Sequence, residues 1–276
     1  DFDNDGDLDL ATTFPGLVAL FANDGHGAFH VVSMIDAPEA TSLAAADYDN
    51  DGLVDLYACR YLNPYENQAV PQPYHDANNG LENIMLRNRG ELQFEDVTSE
   101  VGLDQNNKRF SFAASFEDYD NDGDQDLYVA NDYGRNNLFR NDKGSFTDVA
   151  ASAGVEDISA GMAVSWGDSD NDGYIALYVS NMYSSAGQRI TYQRNFMTEA
   201  SEDTRRKMQR HAGGNTLFKN MGDGTFQDVS QTSNTNMGRW AWGSIFFDYN
   251  NDSQLDLFVP NGFTTNDNDD ADGDDL

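Results

Sequence analysis

A short acidic motif occurs five times in the sequence and constrains its fold more than any other feature. The copies are DFDNDGDLDL from Asp1, DYDNDGLVDL from Asp47, DYDNDGDQDL from Asp118, DSDNDGYIAL from Asp168 and DYNNDSQLDL from Asp248. Their starts are separated by 46, 71, 50 and 80 residues. Two of these intervals fit a repeat unit of about 45–50 residues, and the other two carry insertions.

Short apolar segments flank the motif in a repeated order. A segment rich in small residues precedes it, as in TSLAAA and AGMAVSW, and a β-type run follows it, as in VDLYAC and QDLYVAN. A third run such as NNLFRN and a fourth such as SFTDVA come after, separated by a turn rich in Gly, Asn and Asp. Four short strands per unit are typical of a β-propeller blade. We therefore predict an all-β propeller of four-stranded blades, with about five repeats present.

The spacing within the motif suits a calcium ion. In the pattern D-x-[DN]-x-[DN]-G-x-x-D, positions 1, 3 and 5 of a tight loop present oxygen side chains, and calcium takes about six to eight oxygens. Glycine at position 6 permits the sharp turn. The carbonyl of position 7 adds a ligand, and the carboxylate of position 9 closes the coordination sphere. Magnesium is less favoured, because it keeps its waters and takes fewer protein ligands.

We number these segments acidic loops 1–5 (residues 1–9, 47–55, 118–126, 168–176 and 248–256). The predicted metal ligands are Asp1, Asp3, Asp5 and Asp9 in loop 1; Asp47, Asp49, Asp51 and Asp55 in loop 2; Asp118, Asp120, Asp122 and Asp126 in loop 3; Asp168, Asp170 and Asp172 in loop 4; and Asp248, Asn250, Asp252 and Asp256 in loop 5. We expect up to five calcium ions, one per loop, bound more weakly at the fourth and fifth. Ala176 removes the position-9 carboxylate of loop 4, and Ser253 replaces the glycine of loop 5. One copy alone would fit a solvated Asp-rich turn equally well; five copies in register with strands favour the metal.

The composition limits the classes of partner. Among 276 residues there are 48 Asp and Glu against 16 Lys and Arg, for a net charge of −32, which argues against binding nucleic acid or anionic lipid. A hydrophobic fraction of 39% predicts a folded core despite that charge. No apolar run approaches the length of a membrane span, so we expect no membrane insertion, and no signal peptide is recognised. The chain opens inside a motif, and we read it as part of a longer protein.

The motifs resemble the FG-GAP/VCBS repeat family, whose blades occur in the integrin α-subunit propeller and in many bacterial secreted proteins. The segments LFRNDKGSFTDVAASAGV, LFKNMGDGTFQDVS and DLFVPNGF resemble the branch associated with ASPIC/UnbV domains. The resemblance implies a seven-bladed ring with one calcium per acidic loop. Because the first unit lacks its first strand and the last unit stops after its second, we expect residues 1–276 to form a single propeller region, truncated at both ends, with insertions at about 62–81 and 182–214 and an acidic tail at 266–276.

The face opposite the acidic loops, which we call the insertion face, carries cations and aromatic residues. Arg109 and Arg239 occupy equivalent repeat positions, and both insertions emerge on this face. The candidate ligand residues are Arg60, Tyr61, Arg109, Tyr133, Arg135, Arg239 and Trp240. Arginine beside aromatic rings suits carboxylates, sulfates or sugar rings; alternatively, these arginines neutralise nearby Asp residues and anchor the insertions. The stretch MTEASEDTRRKMQRH predicts a helix, with acids first and bases last.

Catalytic signatures are few, so three functions stay open. No HExxH, GxSxG or P-loop is present, and His75 beside Asp76 is the one tempting pair, so we name no catalytic residue. We expect a secreted or cell-surface, calcium-binding propeller that acts as a binding or adhesion module for a protein or carbohydrate. The alternatives are a carbohydrate lyase or hydrolase with its site on the insertion face, and a structural component of a surface assembly. We expect an extracellular, cell-surface or periplasmic location, and self-assembly stays open.

Overall fold

Five antiparallel sheets, one for each acidic loop, follow one another along the chain in this computed structural model. The structure describes residues 1–65 and 70–262, so the predicted acidic tail at 266–276 lies outside the described residues. We call each sheet with its acidic loop a unit, numbered 1–5 as the loops are.

The strands are numbered in chain order. Unit 1 contains β1 (Leu10–Phe14), β2 (Leu17–Asn23) and β3 (Phe29–Asp36), which correspond to the second, third and fourth strands of the complete units because β1 directly follows the acidic loop. Unit 2 contains β4 (Ala40–Ala46), β5 (Asp55–Arg60), β7 (Ile84–Asn88) and β8 (Phe94–Asp96). Unit 3 contains β10 (Ser111–Glu117), β11 (Asp126–Asn131), β13 (Asn137–Asn141) and β14 (Phe146–Asp148). Unit 4 contains β16 (Gly161–Gly167), β17 (Ala176–Asn181), β18 (Thr216–Asn220) and β19 (Phe226–Asp228). Unit 5 contains β20 (Ile245–Phe247) and β21 (Asp256–Phe258).

Each complete unit is a meander in which consecutive strands pair. In units 2–4 the acidic loop joins the first strand to the second, and position 9 is the first residue of the second strand. The register is the same in all three, since Ala46 pairs with Asp55, Glu117 with Asp126, and Gly167 with Ala176. The prediction of four-stranded units is therefore confirmed for units 2–4, whereas the number of blades in a ring stays a prediction.

The hydrophobic core lies between successive units rather than within one. Tyr48 and Met85 of unit 2 pack with Leu127 and Phe139 of unit 3, and similar clusters join units 1 and 2, 3 and 4, and 4 and 5. The first strands β4, β10, β16 and β20 contact one another in sequence. Small residues on β4, β10 and β16 allow that close approach, and the buried second strands supply the apolar faces on both sides. Each unit thus needs its neighbour to bury its sheet.

Both insertions are anchored to the units. In the first, β6 (Leu81–Glu82) pairs with β9 (Lys108–Arg109) before unit 3. A second small sheet pairs β12 (Gly134–Arg135) with β15 (Ile158–Ser159). The helices are α1 (Ala150–Ala153), α2 (Ser185–Thr191) and α3 (Glu202–His211), of which the last two lie in the second insertion.

The helix predicted over residues 197–211 is confirmed in part, as α3; residues 197–201 precede the helix. The hydroxyl of Ser201 accepts a hydrogen bond from the backbone N–H of Thr204, which caps the helix N-terminus. Glu202 and Asp203 lie in the first turn and Arg210 in the last, as the helix dipole favours. No helix in the described ranges is long and apolar enough to cross a membrane.

Candidate metal centres and the insertion face

The five acidic loops share one backbone conformation. Asparagine at position 4 has a positive φ in every copy, between 57° and 60°. The first aspartate of each loop accepts a hydrogen bond from the N–H of position 6, for example Gly52 to Asp47 at 2.9 Å and Gly123 to Asp118 at 2.9 Å. These bonds close the turn and hold the alternate side chains of the loop on one side.

Carboxylates converge in loops 1–4. In each group, one oxygen from every member lies within 4.8 Å of the others. The groups are Asp1, Asp3 and Asp5; Asp47, Asp49 and Asp55; Asp118, Asp120 and Asp122; and Asp168, Asp170 and Asp172. The structure thus brings together most of the predicted ligands of these four loops.

The position-9 aspartates also accept hydrogen bonds from backbone N–H groups. One Asp55 oxygen accepts from the N–H of Tyr48 at 3.3 Å and the other from that of Asn88 at 2.7 Å. Asp126 accepts in the same way from Tyr119 and Asn141. Burial raises the pKa of Asp55 to about 7 and that of Asp126 to about 8. A cation beside these buried carboxylates would favour their charged forms.

Several carboxylate oxygens in the loops are buried without a hydrogen-bond donor. Oδ1 of Asp1, Asp49 and Asp120 makes no hydrogen bond of ordinary geometry in the described part of the chain. Burial is the main cause that raises the pKa of both Asp49 and Asp120. Buried anionic oxygens are costly unless paired or bound to a cation. A set of hard oxygen donors of this kind fits calcium.

Loop 5 differs from the other four. The Asn250 side-chain amide donates to Asp252 at 3.0 Å, so an amide group stands beside a carboxylate of this loop. Position-9 Asp256 accepts from the N–H of Tyr249. Loop 5 also contributes none of the groups of three acids found among the described residues. Its weaker calcium binding stays a prediction.

Cations from the third strand lie on two of the loops. Nη2 of Arg87 lies 2.5 Å from Oδ2 of Asp49 and 3.1 Å from Oδ2 of Asp51 in loop 2. Lys219 forms ion pairs with Asp170 and Asp172 in loop 4. Loops 2 and 4 are therefore partly neutralised by cations of their own units.

On the insertion face, Asp76 of the first insertion holds two of the predicted ligand arginines. Nη1 of Arg109 lies 3.0 Å from Asp76, and Nη2 of Arg135 lies 2.6 Å from it. Arg135 also contacts Glu156 at 2.7 Å, and the Arg109 residue is 5% exposed. Burial raises the pKa of Asp76, but the two guanidiniums outweigh it and lower that pKa to about 2. These charges are thus paired between the insertion and unit 3.

Arg60, Tyr61 and Tyr133 are held by contacts outside this network. Arg60 donates to the carbonyl oxygens of Pro38 and Glu82. The Tyr61 hydroxyl donates to Asp132 at 2.7 Å, and burial raises the pKa of that carboxyl to about 6. Tyr133 is buried. Arg60 is therefore anchored to backbone, and Tyr61 to a buried carboxylate that sequence reasoning did not single out.

A chain of ring contacts crosses the insertion face; we call it the aromatic band. Its members are Trp240, Trp242, Phe112, Tyr61, Phe110, Tyr133, Tyr74 and His211. Phe112 of unit 3 lies 6.2 Å from Trp242 of unit 5, so the band joins units that are not adjacent. Tyr74 and Trp242 are nearly half exposed. The aromatic band is therefore partly accessible from solvent, at Tyr74 and Trp242.

Arg239 and Trp240 lie at the unit-5 end of the band. Arg239 has a positive φ of 55°, is exposed, and makes no ion pair within residues 1–65 and 70–262. Its carbonyl accepts from the N–H of Tyr183 in the second insertion. Arg109, its counterpart by repeat position, is buried against Asp76. The structure therefore places the two arginines in different surroundings.

The repeated loops and sheets have a counterpart in a known family. The FG-GAP-like repeat matches residues 1–58, 118–179 and 208–259. The chain belongs to the FG-GAP-like repeat family. The three matched segments include all five acidic loops.

Other comparisons are less informative. No curated protein matches the sequence. Among solved structures, an Agrocybe aegerita lectin described as recognising non-reducing terminal N-acetylglucosamine is 14% identical, with a TM-score of 0.44. The alignment covers 95% of this chain and 56% of that one, so the chain spans little more than half of the lectin. We draw no functional argument from so distant a likeness.

Two repeated residue positions in these FG-GAP-like repeats were not identified from the sequence. One is the asparagine that ends the third strand, and the other is the residue directly before it. The asparagines are Asn23, Asn88, Asn141 and Asn220, and the preceding residues are Ala22, Arg87, Arg140 and Lys219. Aligning LFAN, MLRN, LFRN and LFKN would have revealed both positions.

Proposed function

We propose that this chain is a calcium-binding β-propeller module that takes up to five calcium ions, one in each acidic loop. The observation that carries this proposal is the set of buried, donor-less carboxylate oxygens at Asp1, Asp49 and Asp120. Each lies in a group of converging carboxylates. Calcium would supply the missing positive charge and link the strands on either side of the loop.

The proposed ligands are the aspartates at positions 1, 3, 5 and 9 of the loops, except that loop 4 has Ala176 at position 9 and loop 5 has Asn250 at position 3. Loops 4 and 5 are proposed to bind more weakly, because Ala176 offers no carboxylate and Asn250 offers a neutral oxygen. The position-9 aspartates would keep their backbone hydrogen bonds, since a carboxylate oxygen accepts more than one partner.

A second part of the proposal concerns the insertion face. We propose that it binds a protein or carbohydrate ligand and that the chain acts as a binding or adhesion module. The partly open aromatic band and the exposed Arg239 support this, because rings and guanidinium suit sugar and anionic groups. Trp240 and Tyr61 would contribute rings, and the buried Tyr133 would support them from beneath. Arg60, Arg109 and Arg135 would act mainly by stabilising the conformation of the insertion face through their hydrogen bonds and ion pairs.

Two alternatives remain as candidates. A carbohydrate lyase or hydrolase would place its site on the insertion face, where Tyr74 and Tyr133 contact His211. A structural component of a surface assembly would use the apolar side chains exposed on unit 1, such as Val31 and Met34. Product formation from a glycan would favour the enzyme, and concentration-dependent self-association would favour assembly.

We also propose the wider setting that the resemblance implies. The whole protein would hold a seven-bladed ring, belong to the branch associated with ASPIC/UnbV domains, and work outside the cell, at its surface or in the periplasm. Residues 1–276 would be one propeller region, with insertions at 62–81 and 182–214 and an acidic tail at 266–276.

Thermal unfolding in calcium and in excess chelator tests the calcium proposal. A ligand that binds only the folded chain raises its melting temperature, so calcium should raise it by several degrees. Asp120→Asn should reduce this gain, whereas the charge-matched Asp104→Asn, on an exposed turn, should leave it unchanged. Equal melting curves in calcium and in chelator would overturn the proposal.

A glycan panel tests the ligand face. Arg239→Ala and Trp242→Ala should abolish any binding while the calcium-dependent melting shift stays intact. Lys143→Ala, an exposed cation outside the insertion face, serves as the control and should bind as the unmodified chain does. Loss of both binding and calcium-dependent stability in the first two variants would mean that these side chains serve the fold.

A further inference from the structure

We propose that the residue before the third-strand asparagine sets the calcium affinity of the acidic loop in its own unit, and that its positive charge weakens loops 2 and 4. This inference rests on the proposed calcium binding. It concerns how the sites differ, whereas the proposed function concerns whether they bind.

The same strand position carries different charges in different units. It is Ala22 in unit 1, Arg87 in unit 2, Arg140 in unit 3 and Lys219 in unit 4. Each lies one residue before an asparagine whose backbone N–H or side chain contacts the acidic loop of that unit. The position is therefore always beside the loop, and only its side chain changes.

In loops 2 and 4 the cation contacts proposed calcium ligands directly. Nη2 of Arg87 reaches Asp49 at 2.5 Å and Asp51 at 3.1 Å, with side chains that are 12% and 31% exposed. Lys219 forms ion pairs with Asp170 and Asp172. In both units the cation lies on positions 3 and 5, the two carboxylates that calcium would share.

The other two units provide natural comparisons. Arg140 lies 2.9 Å from Asp142, which is outside loop 3, and forms no ion pair with that loop among the described residues. Ala22 has no charge at all. Position 22 thus gives loop 1 no competing cation, and loop 3 has one that pairs with another carboxylate and acts on Asp120 only as a weaker, longer-range charge.

A cation in this place opposes calcium. Calcium must either displace the guanidinium or ammonium group from the carboxylates, or bind beside a second positive charge. Either cost lowers the affinity of the loop. By linkage, the same cation neutralises the carboxylates when calcium is withdrawn, and so stabilises the chelated fold. We therefore expect loop 1 to bind calcium most tightly, followed by loops 3 and 2, with loop 4 below them.

Amide NMR resolves the loops one by one during a calcium titration. The N–H of position 6 donates to the first aspartate of its loop, which makes Gly6, Gly52, Gly123 and Gly173 four separate reporters. Arg87→Met keeps the apolar stem of the side chain and removes its charge. It should lower the calcium midpoint of Gly52 by roughly three- to tenfold, as expected for loss of a half-buried ion pair. The midpoints of Gly6 and Gly123 should not move.

Matched variants separate charge from packing. Arg87→Lys keeps the charge and should leave the Gly52 midpoint near its original value. Arg89→Ala removes an arginine from the same unit that pairs with Glu95 instead of the loop, and should have no effect on that midpoint. Lys219→Met should tighten loop 4, and Ala22→Arg should weaken loop 1. In chelator, Arg87→Met should melt at a lower temperature than the unmodified chain.

The outcomes distinguish the two proposals. If no glycine amide responds to calcium, the proposed calcium binding fails. If the amides respond but Arg87→Met and Lys219→Met leave the Gly52 and Gly173 midpoints unchanged or raise them, the loops bind and this inference is wrong. A fall in melting temperature both with and without calcium, at an unchanged midpoint, would show that Arg87 serves packing alone.

Discussion

At the scale of single residues, Ser253 shows what a side chain costs in the acidic turn. It has a φ of 68°, where the other loops have glycine with φ between 87° and 98°. A Cβ built on Gly6, Gly52, Gly123 or Gly173 would meet nothing within 4 Å. The cost of a side chain here therefore lies in the backbone conformation rather than in a clash.

Ser253→Gly should stabilise the chain by about 0.5–1 kcal/mol, because glycine adopts a positive φ at little cost. Chemical denaturation at fixed calcium concentration measures the change. The reverse substitution, Gly123→Ser, should destabilise loop 3 by about 1 kcal/mol. A neutral or destabilising Ser253→Gly would contradict the strain inferred at this position.

Asp76 is a second residue whose effect can be measured. Its replacement by Asn would leave Arg109 buried with no carboxylate beside it, at a cost of about 3–5 kcal/mol in unfolding free energy. Because the pKa of Asp76 is lowered to about 2, its contribution is full above about pH 4 and is lost as the pH falls toward 2.

Urea denaturation of the native chain and Asp76→Asn across this pH range measures both effects. The stability difference between them should shrink as the solution is acidified. The control is Asp142→Asn, because Asp142 is exposed and pairs with Arg140 near the surface, and it should cost less than about 1 kcal/mol. A difference between native and variant that does not change with pH would contradict the pairing of Asp76.

At the scale of structural elements, the third-strand asparagine connects each unit to the one before it. Nδ2 of Asn141 donates to the carbonyl of Tyr48 in loop 2 at 2.7 Å and to that of Gln125 in its own loop at 3.0 Å. Asn88 and Asn220 repeat the arrangement one unit earlier and later. The acidic loop of one unit is thus fastened to the third strand of the next.

Asn141→Ala should therefore cost about 2–3 kcal/mol, because the buried carbonyl of Tyr48 and the partly buried carbonyl of Gln125 lose their donor. Asn23→Ala is the matched control, since the Asn23 amide donates only to Leu8 of its own loop among the described residues and is more exposed. It should cost less than half as much. Equal losses in the two variants, measured by urea denaturation, would show that the contact between units contributes little.

Elements that depend on neighbouring residues could be predicted from the sequence, whereas contacts between distant segments could not. The acidic loops and the strands were predictable because turn residues and alternation act over a few neighbouring positions. The helix over Glu202–His211 was predictable from its cap and charges. The pairing of Asp76 with Arg109 and Arg135 was not, because an insertion must first fold back onto a later unit. The asparagine contact was periodic, and aligning the third strands would have exposed it.

At the scale of the whole molecule, negative charge works against folding. The net charge is −32, and five Ca²⁺ ions would bring it to −22. Carboxylates at this density repel one another, and the repulsion falls when ions bind or when salt screens it. Calcium would therefore act in two ways, as a local ligand and as a reduction of the overall charge.

In chelator, added sodium chloride should raise the melting temperature markedly, since it screens the uncompensated carboxylates. In saturating calcium the same salt should have a smaller effect, because the strongest repulsion is already relieved. Melting curves at low and high salt, each with calcium or chelator, measure the difference. An equal salt dependence in both conditions would contradict the view that calcium relieves the repulsion.

Counting the calcium ions held by the folded chain tests the central claim most directly. Native mass spectrometry across a calcium titration should show up to five bound ions. The most weakly bound ions should be lost first as calcium is withdrawn. Asp118→Ala in loop 3 should remove one ion and leave the others. A folded chain that retains no calcium, or a variant that retains as many ions as the native chain, would contradict the account.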